Sequence, residues 1–162
     1  MYVFNKGFGC LIMASVVDKY VRMYANDLAA EGKKLIDKAF ATAEFNKNRT
    51  QNLHDSYGSC VFYKRKEVPN TRRYVGRKAV VGKKNPQGEL ILGRAEIDNF
   101  FDTYEAHTDG FELVTAAAIF YAEILEKGKG TLRRKYRVIS GLGSEMDALA
   151  SKIGGKVIDI NL

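Results

Sequence analysis

The chain is poor in the residues that build stapled, metal-bound or disordered proteins. Its 162 residues include two cysteines, two prolines, two histidines and no tryptophan. Two cysteines are too few for a disulfide scaffold or a structural zinc site, so we interpret Cys10 and Cys60 as free thiols of a reducing compartment. With 46% hydrophobic side chains the composition excludes a disordered chain and predicts one globular domain with its own core.

Long apolar runs are also missing. The longest, at residues 10–17 and 113–122, are shorter than the about 18 residues that a membrane-spanning helix needs. Residues 1–17 imitate a signal peptide, with Lys6 ahead of an apolar run. A helical pattern continues from this run into Asp18, however, so we expect no cleavage there and no membrane association.

Patterns typical of catalysis or metal binding are missing as well. His54, Asp55 and Ser56 are adjacent, but a catalytic triad must converge in space rather than in sequence. Neither a CxxC nor a histidine pair at i and i+4 occurs, and the glycines at 128–131 and 141–143 match neither a phosphate loop nor a dinucleotide-binding loop. We therefore expect no enzyme, no cofactor and no metal.

Charge is abundant but unevenly distributed. The formal net charge is +7. Residues 64–94 carry ten basic and two acidic side chains, which gives +8, and residues 127–137 carry six basic side chains and no acidic one. By contrast, residues 96–112 contain six acidic side chains and no lysine or arginine. One surface should therefore attract polyanions, and another could attract a copy of the first.

The basic blocks are the candidate nucleic-acid surface, because cations bind phosphates and the interleaved rings of Phe62, Tyr63, Tyr74 and Tyr136 could stack on bases. The alternative is a charged outer face over an aromatic core. The residues predicted to face nucleic acid are Lys64, Arg65, Lys66, Arg72, Arg73, Arg77, Lys78, Lys83, Lys84, Arg133, Arg134 and Lys135.

The acidic stretch is the candidate subunit interface. Asp98, Asp102 and Glu105 share one face of a predicted helix, so they could meet a basic block of a neighbouring copy. A solvated helix face is the alternative.

The periodicities predict an α+β domain, with a long N-terminal helix packed on a small antiparallel sheet and with shorter helices. Its predicted parts are an extension over 1–12, a helix over 13–46, a sheet with inserted helices over 55–137, and a C-terminal helix and strand over 140–162. Gly32 marks a bend or a close packing approach inside the long helix.

Within these parts, alternation and turn residues predict strands at 55–66, 74–81, 89–92, 111–118 and 156–162, with a turn at Pro69-Asn70 and a hairpin connection at 85–88. Helices are predicted at 95–105 and 119–127. A last helix is predicted to begin after Ser144 as its N-cap and to end at Gly154.

Two segments resemble the small neck and tail-completion proteins of long-tailed bacteriophages. In that family a long helix is followed by R-T-G-x-L-x-x-S, and a later strand leads into Y-A-x-x-x-E-x-G. Here the segments read Arg49-Thr50-Gln51-Asn52-Leu53-His54-Asp55-Ser56 and Tyr121-Ala122-Glu123-Ile124-Leu125-Glu126-Lys127-Gly128. The motif positions to which the resemblance assigns a structural role are Arg49, Thr50, Leu53, Ser56, Tyr121, Glu126 and Gly128.

The resemblance implies a structural protein of the virion that assembles without catalysis. Its partners would be copies of itself in a ring, neighbouring neck or tail-tube proteins, and DNA contacted without sequence specificity. The expected location is the neck or tail of the virion, after synthesis in the host cytoplasm. The alternative is a free basic nucleic-acid-binding protein without catalytic activity, which the charge pattern alone would support.

Overall fold

A long helix, α1, opens the fold in the computed structural model. The structure describes residues 6–42, 52–77, 82–119, 122, 125, 138–139 and 141–154, and the side chains of α1 from Val16 onward. Helix α1 spans Lys6–Thr42, so it begins well before residue 13 and takes in most of the predicted extension. The apolar periodicity was too irregular near the N-terminus to place this start.

The sheet is built around one central strand. After a short helix α2 (Asn52–Asp55), strand β1 runs over Tyr57–Tyr63 and is buried along almost its whole length. Strand β6 (Phe111–Ala117) pairs antiparallel with all of β1, in the register Tyr57 to Ala117 through Tyr63 to Phe111. The other edge of β1 is shared by two short strands, β2 (Lys66–Glu67) and β3 (Arg73–Tyr74).

A threonine side chain fills the gap between β2 and β3. The Thr71 hydroxyl is fully buried, accepts the amide of Val61 at 3.2 Å and lies 2.7 Å from the carbonyl of Val68, to which it donates. Because buried backbone groups must be paired, the hydroxyl accepts the hydrogen bond of Val61 that a neighbouring strand residue would otherwise accept. The predicted turn at Pro69-Asn70 is confirmed, with Asn70 at φ 66°.

Helix α1 covers one face of the sheet. Ala25, Leu28 and Ala29 pack on Val61 and Val68, while Ile36 and Phe40 pack near the start of β1 on Tyr57. The close approach predicted at Gly32 is confirmed: an added Cβ would lie 2.7 Å from Leu113 Cδ1 and 3.3 Å from Ser59 Oγ.

Helix α3 covers the opposite face. It spans Gly93–Thr103, close to the predicted bounds, and packs Ile97 and Phe101 on Cys60 and Phe62 of β1 and on Val114 of β6. Strand β1 is therefore the middle of a three-layer arrangement, which explains why both of its faces are buried.

A second hairpin precedes α3. Strands β4 (Lys83–Lys84) and β5 (Leu90–Ile91) pair across the predicted 85–88 connection, where Gly88 donates to the carbonyl of Asn85 at 3.0 Å. The strand predicted at 74–81 is shorter than expected: β3 ends at Tyr74, and residues 78–81 lie outside the described residues.

The last described helix, α4, spans Gly143–Ile153 and ends at Gly154, whose φ of 70° gives the predicted left-handed cap. The predicted N-cap is wrong: Leu142 occupies that position, and Ser144 lies inside the helix with its hydroxyl on the carboxylate of Glu145. Of the helix predicted at 119–127, Ala122 and Leu125 are helical. The strand predicted at 156–162 lies outside the described residues.

The described elements form an α+β fold, as predicted. Of the helices in this part of the chain, none combines the length and the apolar character needed to cross a membrane.

Candidate functional site

Arg72 lies at the centre of an ion-pair cluster between the sheet edge and α3. Its guanidinium meets the Glu67 carboxylate through two bonds, of 2.9 Å and 2.6 Å, and contacts Asp98 at 3.3 Å and Asp102 at 2.5 Å. The hydrogen bond with Glu67 is the main reason that the pKa of Arg72 is raised above its ordinary value. Three carboxylates thus balance this one cation, and the cluster fastens α3 to the edge of the sheet.

A second arginine continues the cluster toward the interior. Arg94 pairs with the fully buried Asp55, and its guanidinium lies 3.4 Å from the ring centroid of Tyr74. The Tyr74 hydroxyl donates in turn to Asp98, and burial together with this bond raises its pKa. Arg94 therefore links the buried carboxylate of Asp55 to Tyr74 and, through Tyr74, to Asp98. Because these contacts share partners, removing one side chain should weaken the contacts of the others.

The corner before β1 holds the start of α3. The side chain of Asn52 is buried; its oxygen accepts the amide of Gly93 at 2.6 Å, and its nitrogen donates to the carbonyl of Ile91 at 3.2 Å. Ser56 closes the corner by donating to the carbonyl of Leu53 at 2.7 Å. These bonds satisfy backbone groups that a helix end and a tight corner leave unpaired.

The structure places two residues of the predicted acidic interface on Arg72. Asp98 and Asp102, spaced i,i+4 on α3, both contact the guanidinium of the same chain, and the Asp102 side chain remains 64% exposed. Glu105 lies beyond the end of α3 and is exposed. The charges of Arg72 and of the two aspartates, assigned from sequence to two different surfaces, are therefore paired with each other.

The remaining cations of this edge lie on the other face of the sheet. Residues opposite each other in an antiparallel pair project to the same face. Lys66 is opposite Tyr63 and Arg73 is opposite Ser59, and both Tyr63 and Ser59 lie on the α1 side. Arg73 reaches α1 directly, since its Nη2 donates to Asn26 Oδ1 at 3.1 Å.

The tip of the β1–β2 hairpin adds two further cations. Lys64 and Arg65 form the two-residue turn, with φ values of 49° and 61°. Positive φ at both central positions is the geometry of a type I′ turn, which favours Asn-Gly because other side chains cost roughly 1–2 kcal/mol each in this conformation. Both side chains are exposed, and Arg65 forms a solvent-exposed ion pair with Asp109 at 2.9 Å.

The other predicted nucleic-acid residues are dispersed. Arg77, Lys83 and Lys84 are exposed, the last two on β4 of the second hairpin. Lys78, Arg133, Arg134 and Lys135 lie outside the described residues.

The rings that could have stacked on bases are used inside the protein. Phe62 is buried, Tyr63 stacks on Phe111 with centroids 4.6 Å apart, and Tyr74 lies under Arg94. Tyr136 lies outside the described residues. At these three positions the rings pack against other side chains of the chain, as the alternative of a charged face over an aromatic core expects.

No match is found when the chain is compared with protein-family models, curated proteins and solved structures.

The polar residues around His54 do not converge into a triad. His54 packs edge-on against Phe40 with centroids 4.1 Å apart, and burial lowers its pKa. Asp55 is engaged with Arg94, and the Ser56 hydroxyl points to a backbone carbonyl. Within the described ranges no group of three histidine, cysteine or carboxylate side chains is placed to hold a metal ion.

Cys60 is a core residue. It is fully buried on the α3 side with its sulfur 3.7 Å from the Thr71 hydroxyl, and burial raises its pKa to about 12. A thiol in this state is neutral and a poor nucleophile.

The resemblance motifs are only partly described. Leu53 is buried in the core beside Phe40, and Ser56 closes the corner that leads into β1. The remaining motif positions lie outside the described residues: Arg49, Thr50, Tyr121, Glu126 and Gly128.

An exposed apolar surface on α1 was missed by the sequence reasoning. We call it the α1 patch; it consists of Val16, Val17, Tyr20, Met23 and Tyr24, with exposed fractions of 46%, 56%, 66%, 52% and 39%. Tyr24 belongs only partly to this surface, because its ring also packs on Phe111 of β6 with centroids 4.6 Å apart. The signal in the sequence was the excess length of the helix over the strands.

Proposed function

We propose that this chain is a structural subunit of a bacteriophage virion, a head–tail connector (neck) or tail-completion protein that acts by assembly. Two lines support the proposal: the resemblance of residues 49–56 and 121–128 to that family, and the surface of α1. In such a role the chain is made in the host cytoplasm and ends in the neck or tail of the virion.

The α1 patch is the observation that carries the proposal. Its spacing of i, i+1, i+4, i+7 and i+8 places all five side chains on one side of the helix. Farther along the same outward side the helix carries Asp27, Glu31, Lys34 and Lys38. A contiguous apolar patch on an otherwise charged helix is typical of a surface that another protein covers.

The patch also fits the geometry of a ring. A closed ring joins two different patches of identical subunits, so each subunit needs a contact surface that extends beyond its own core. The exposed part of α1 from Val16 to Tyr24 would supply one, over about 13 Å at 1.5 Å per residue. Since Asp98 and Asp102 are engaged with Arg72, the apolar patch takes their place in the proposed interface.

Sedimentation of the protein with particles tests this function. An antibody to the chain should find it in the particle or tail fractions of a density gradient prepared from the source culture, in fixed ratio to other virion proteins. Recovery only among free soluble proteins would refute the structural role.

A pair of variants tests the surface. Tyr20→Glu with Met23→Glu should abolish incorporation into particles, because two buried charges cost far more than a ring contact supplies. The matched control, Ala30→Glu with Ala41→Glu, adds the same two charges at exposed positions of the sheet-covered part of α1 and should be incorporated normally. Circular dichroism of both purified variants should match the parent chain.

A free nucleic-acid-binding protein is the second candidate, and the cations on the α1 side of the sheet edge favour it. It predicts that the protein sediments with nuclease-sensitive material rather than with particles, so the same gradient, run with and without nuclease, separates the two functions.

A further inference from the structure

Five basic side chains lie along one edge of the molecule, which we call the basic edge: Arg22, Lys64, Arg65, Lys66 and Arg73. We propose that the basic edge binds the phosphate backbone of duplex DNA without reading its sequence. This inference rests on the proposed function in that it names the DNA-contacting surface of the subunit.

The faces of the sheet separate the cations that are available from those that are not. Arg72 and Arg94 project to the α3 side, where Glu67, Asp98 and Asp55 balance them. Lys66 and Arg73 project to the α1 side, where no carboxylate is paired with them among the described residues. Arg73 is half-buried, and its guanidinium donates to the carbonyls of Asn70 and Arg72 and to Asn26 Oδ1. The cations of this sheet edge that have no carboxylate partner among the described residues therefore lie on its α1 side, while Lys83 and Lys84 are exposed on the second hairpin.

The spacing of the basic edge suits a polyanion of regular charge density. Lys66 and Arg73 are paired with β1 residues four positions apart, so they lie about 13 Å apart along the edge at about 3.3 Å per residue. Asn26, which bonds to Arg73, donates to the carbonyl of Arg22 at 2.9 Å, so Arg22 lies one turn away on the same side of α1. A 13 Å length of duplex carries about eight phosphates on its two strands, and those on the facing side can contact the basic edge.

The conformation of the hairpin tip indicates that the positive charge of its residues has a function. A turn with positive φ at both central positions is met most easily by Asn-Gly, yet Lys64 and Arg65 occupy it and Lys66 follows. Strained backbone at an exposed position is a sign of function when the residues there bring a specific chemistry. Here that chemistry is three consecutive cations at the end of a rigid hairpin.

Duplex rather than single-stranded nucleic acid is indicated by the aromatic rings. Binding of single strands relies on exposed rings that stack on bases. At the hairpin, Tyr63 is stacked on Phe111 and its neighbour Phe62 is buried, whereas the exposed rings Tyr20 and Tyr24 belong to the α1 patch, which the proposed assembly covers. Backbone contacts remain, and these position DNA without sequence readout.

Fluorescence anisotropy with a labelled duplex of about 30 base pairs, titrated from about 0.05 to 0.3 M salt, tests the proposal. Arg65 is already paired with Asp109, which leaves four cations of the basic edge to neutralise phosphates. At about 0.9 per phosphate neutralised, the slope of log K against log salt should be about −4. Lys64→Gln with Lys66→Gln should make the slope shallower by about 2. Because the electrostatic contribution vanishes at 1 M salt, where variant and parent should bind equally, this change of slope corresponds to about 30-fold weaker binding of the variant at 0.15 M salt.

The matched control is Lys83→Gln with Lys84→Gln, which removes the same charge from the second hairpin. Its affinity should stay within about twofold of the parent, the effect of net charge alone. An equal loss in both double variants, or a loss in neither, would overturn the assignment to the basic edge. Displacement of the duplex by poly-glutamate at equal charge concentration would also overturn it, in favour of an acidic protein partner.

The outcome is separable from that of the proposed function. If the chain fails to bind duplex but sediments with particles, the basic edge is wrong and the structural role stands. If it binds duplex through Lys64 and Lys66 but never sediments with particles, the DNA surface stands and the virion role is wrong.

Discussion

Replacing Gly93 by alanine should destabilise this protein more than any other change of one methyl group that the structure suggests. Gly93 is the first residue of α3, and its amide donates to the buried side chain of Asn52. An added Cβ would lie 2.1 Å from the backbone oxygen of Asn52 and 3.0 Å from both the amide nitrogen and the Cβ of Ser56. These neighbours are mostly backbone atoms, so no side-chain rotation relieves the contact.

The magnitude follows from what must move. Ordinary contact begins near 3.4 Å, so α3 and the corner at Asn52 must separate by more than an ångström. Overpacking of this kind costs about 1–3 kcal/mol. The separation also lengthens the bonds from Asn52 to Gly93 and Ile91, at 2.6 Å and 3.2 Å, each worth about 1 kcal/mol net. The expected loss in free energy of unfolding is about 3–5 kcal/mol.

Urea unfolding followed by circular dichroism measures this loss. For an m value near 2 kcal/mol/M, the midpoint should fall by about 2 M. Gly143→Ala is the matched control, because Gly143 is also the first residue of an eleven-residue helix but has open space around it. That variant should gain about 0.4–1 kcal/mol from the lower entropy of its unfolded state. A Gly93→Ala midpoint within about 0.5 M of the parent would refute the rigid contact.

Three further predictions concern the polar and titratable groups. Arg72→Met leaves Glu67 and its other carboxylate partners unbalanced at a partly buried edge and should cost about 2 kcal/mol in urea unfolding. Burial lowers the pKa of His54, so below pH about 6.5 the unfolded chain binds protons more readily than the folded one. The free energy of unfolding should therefore decrease as the pH is lowered through this range, by at most about 1.4 kcal/mol per pH unit. His54→Gln should remove this contribution. In a Cys10→Ser background, Cys60 should resist iodoacetamide at pH about 8 in the native protein and react in urea, as mass spectrometry would show.

Local sequence signals predicted most of the fold. The 3.6-residue periodicity located α1 and α3, alternation located β1 and β6, and the turn residues at 69–70 and 85–88 were placed correctly. Boundaries were less certain, because the ends of elements depend on tertiary contacts. Ser144 illustrates this: it has a favourable capping side chain, but the chain enters α4 through the buried Leu142, which packs in the core.

The distribution of charge could not be predicted in the same way. Which face a strand residue occupies depends on register, and a two-residue strand such as β2 has no periodicity from which to derive it. Arg72 and Arg73 are neighbours in sequence, yet one joins Glu67 on the α3 side and the other reaches Asn26 on the α1 side. Net charge over a segment therefore predicts that a polyanion surface exists but not which side chains form it.

The length of α1 carries the functional argument further than its composition. A strand of seven residues spans about 23 Å, whereas a helix of 37 residues spans about 55 Å, so the sheet can cover less than half of α1. The covered part carries charge on its outward side, while the α1 patch is apolar and exposed. An exposed apolar patch lowers the solubility of a lone domain, so the patch supports the proposed assembly, which would bury it. Ala25 and Leu28, which follow the α1 patch in the chain, pack on the end of β1 that leads into the hairpin tip. The α1 patch therefore projects from the same end of the sheet as Lys64 and Arg65. The assembly that covers the patch would thereby fix the direction in which the basic edge points.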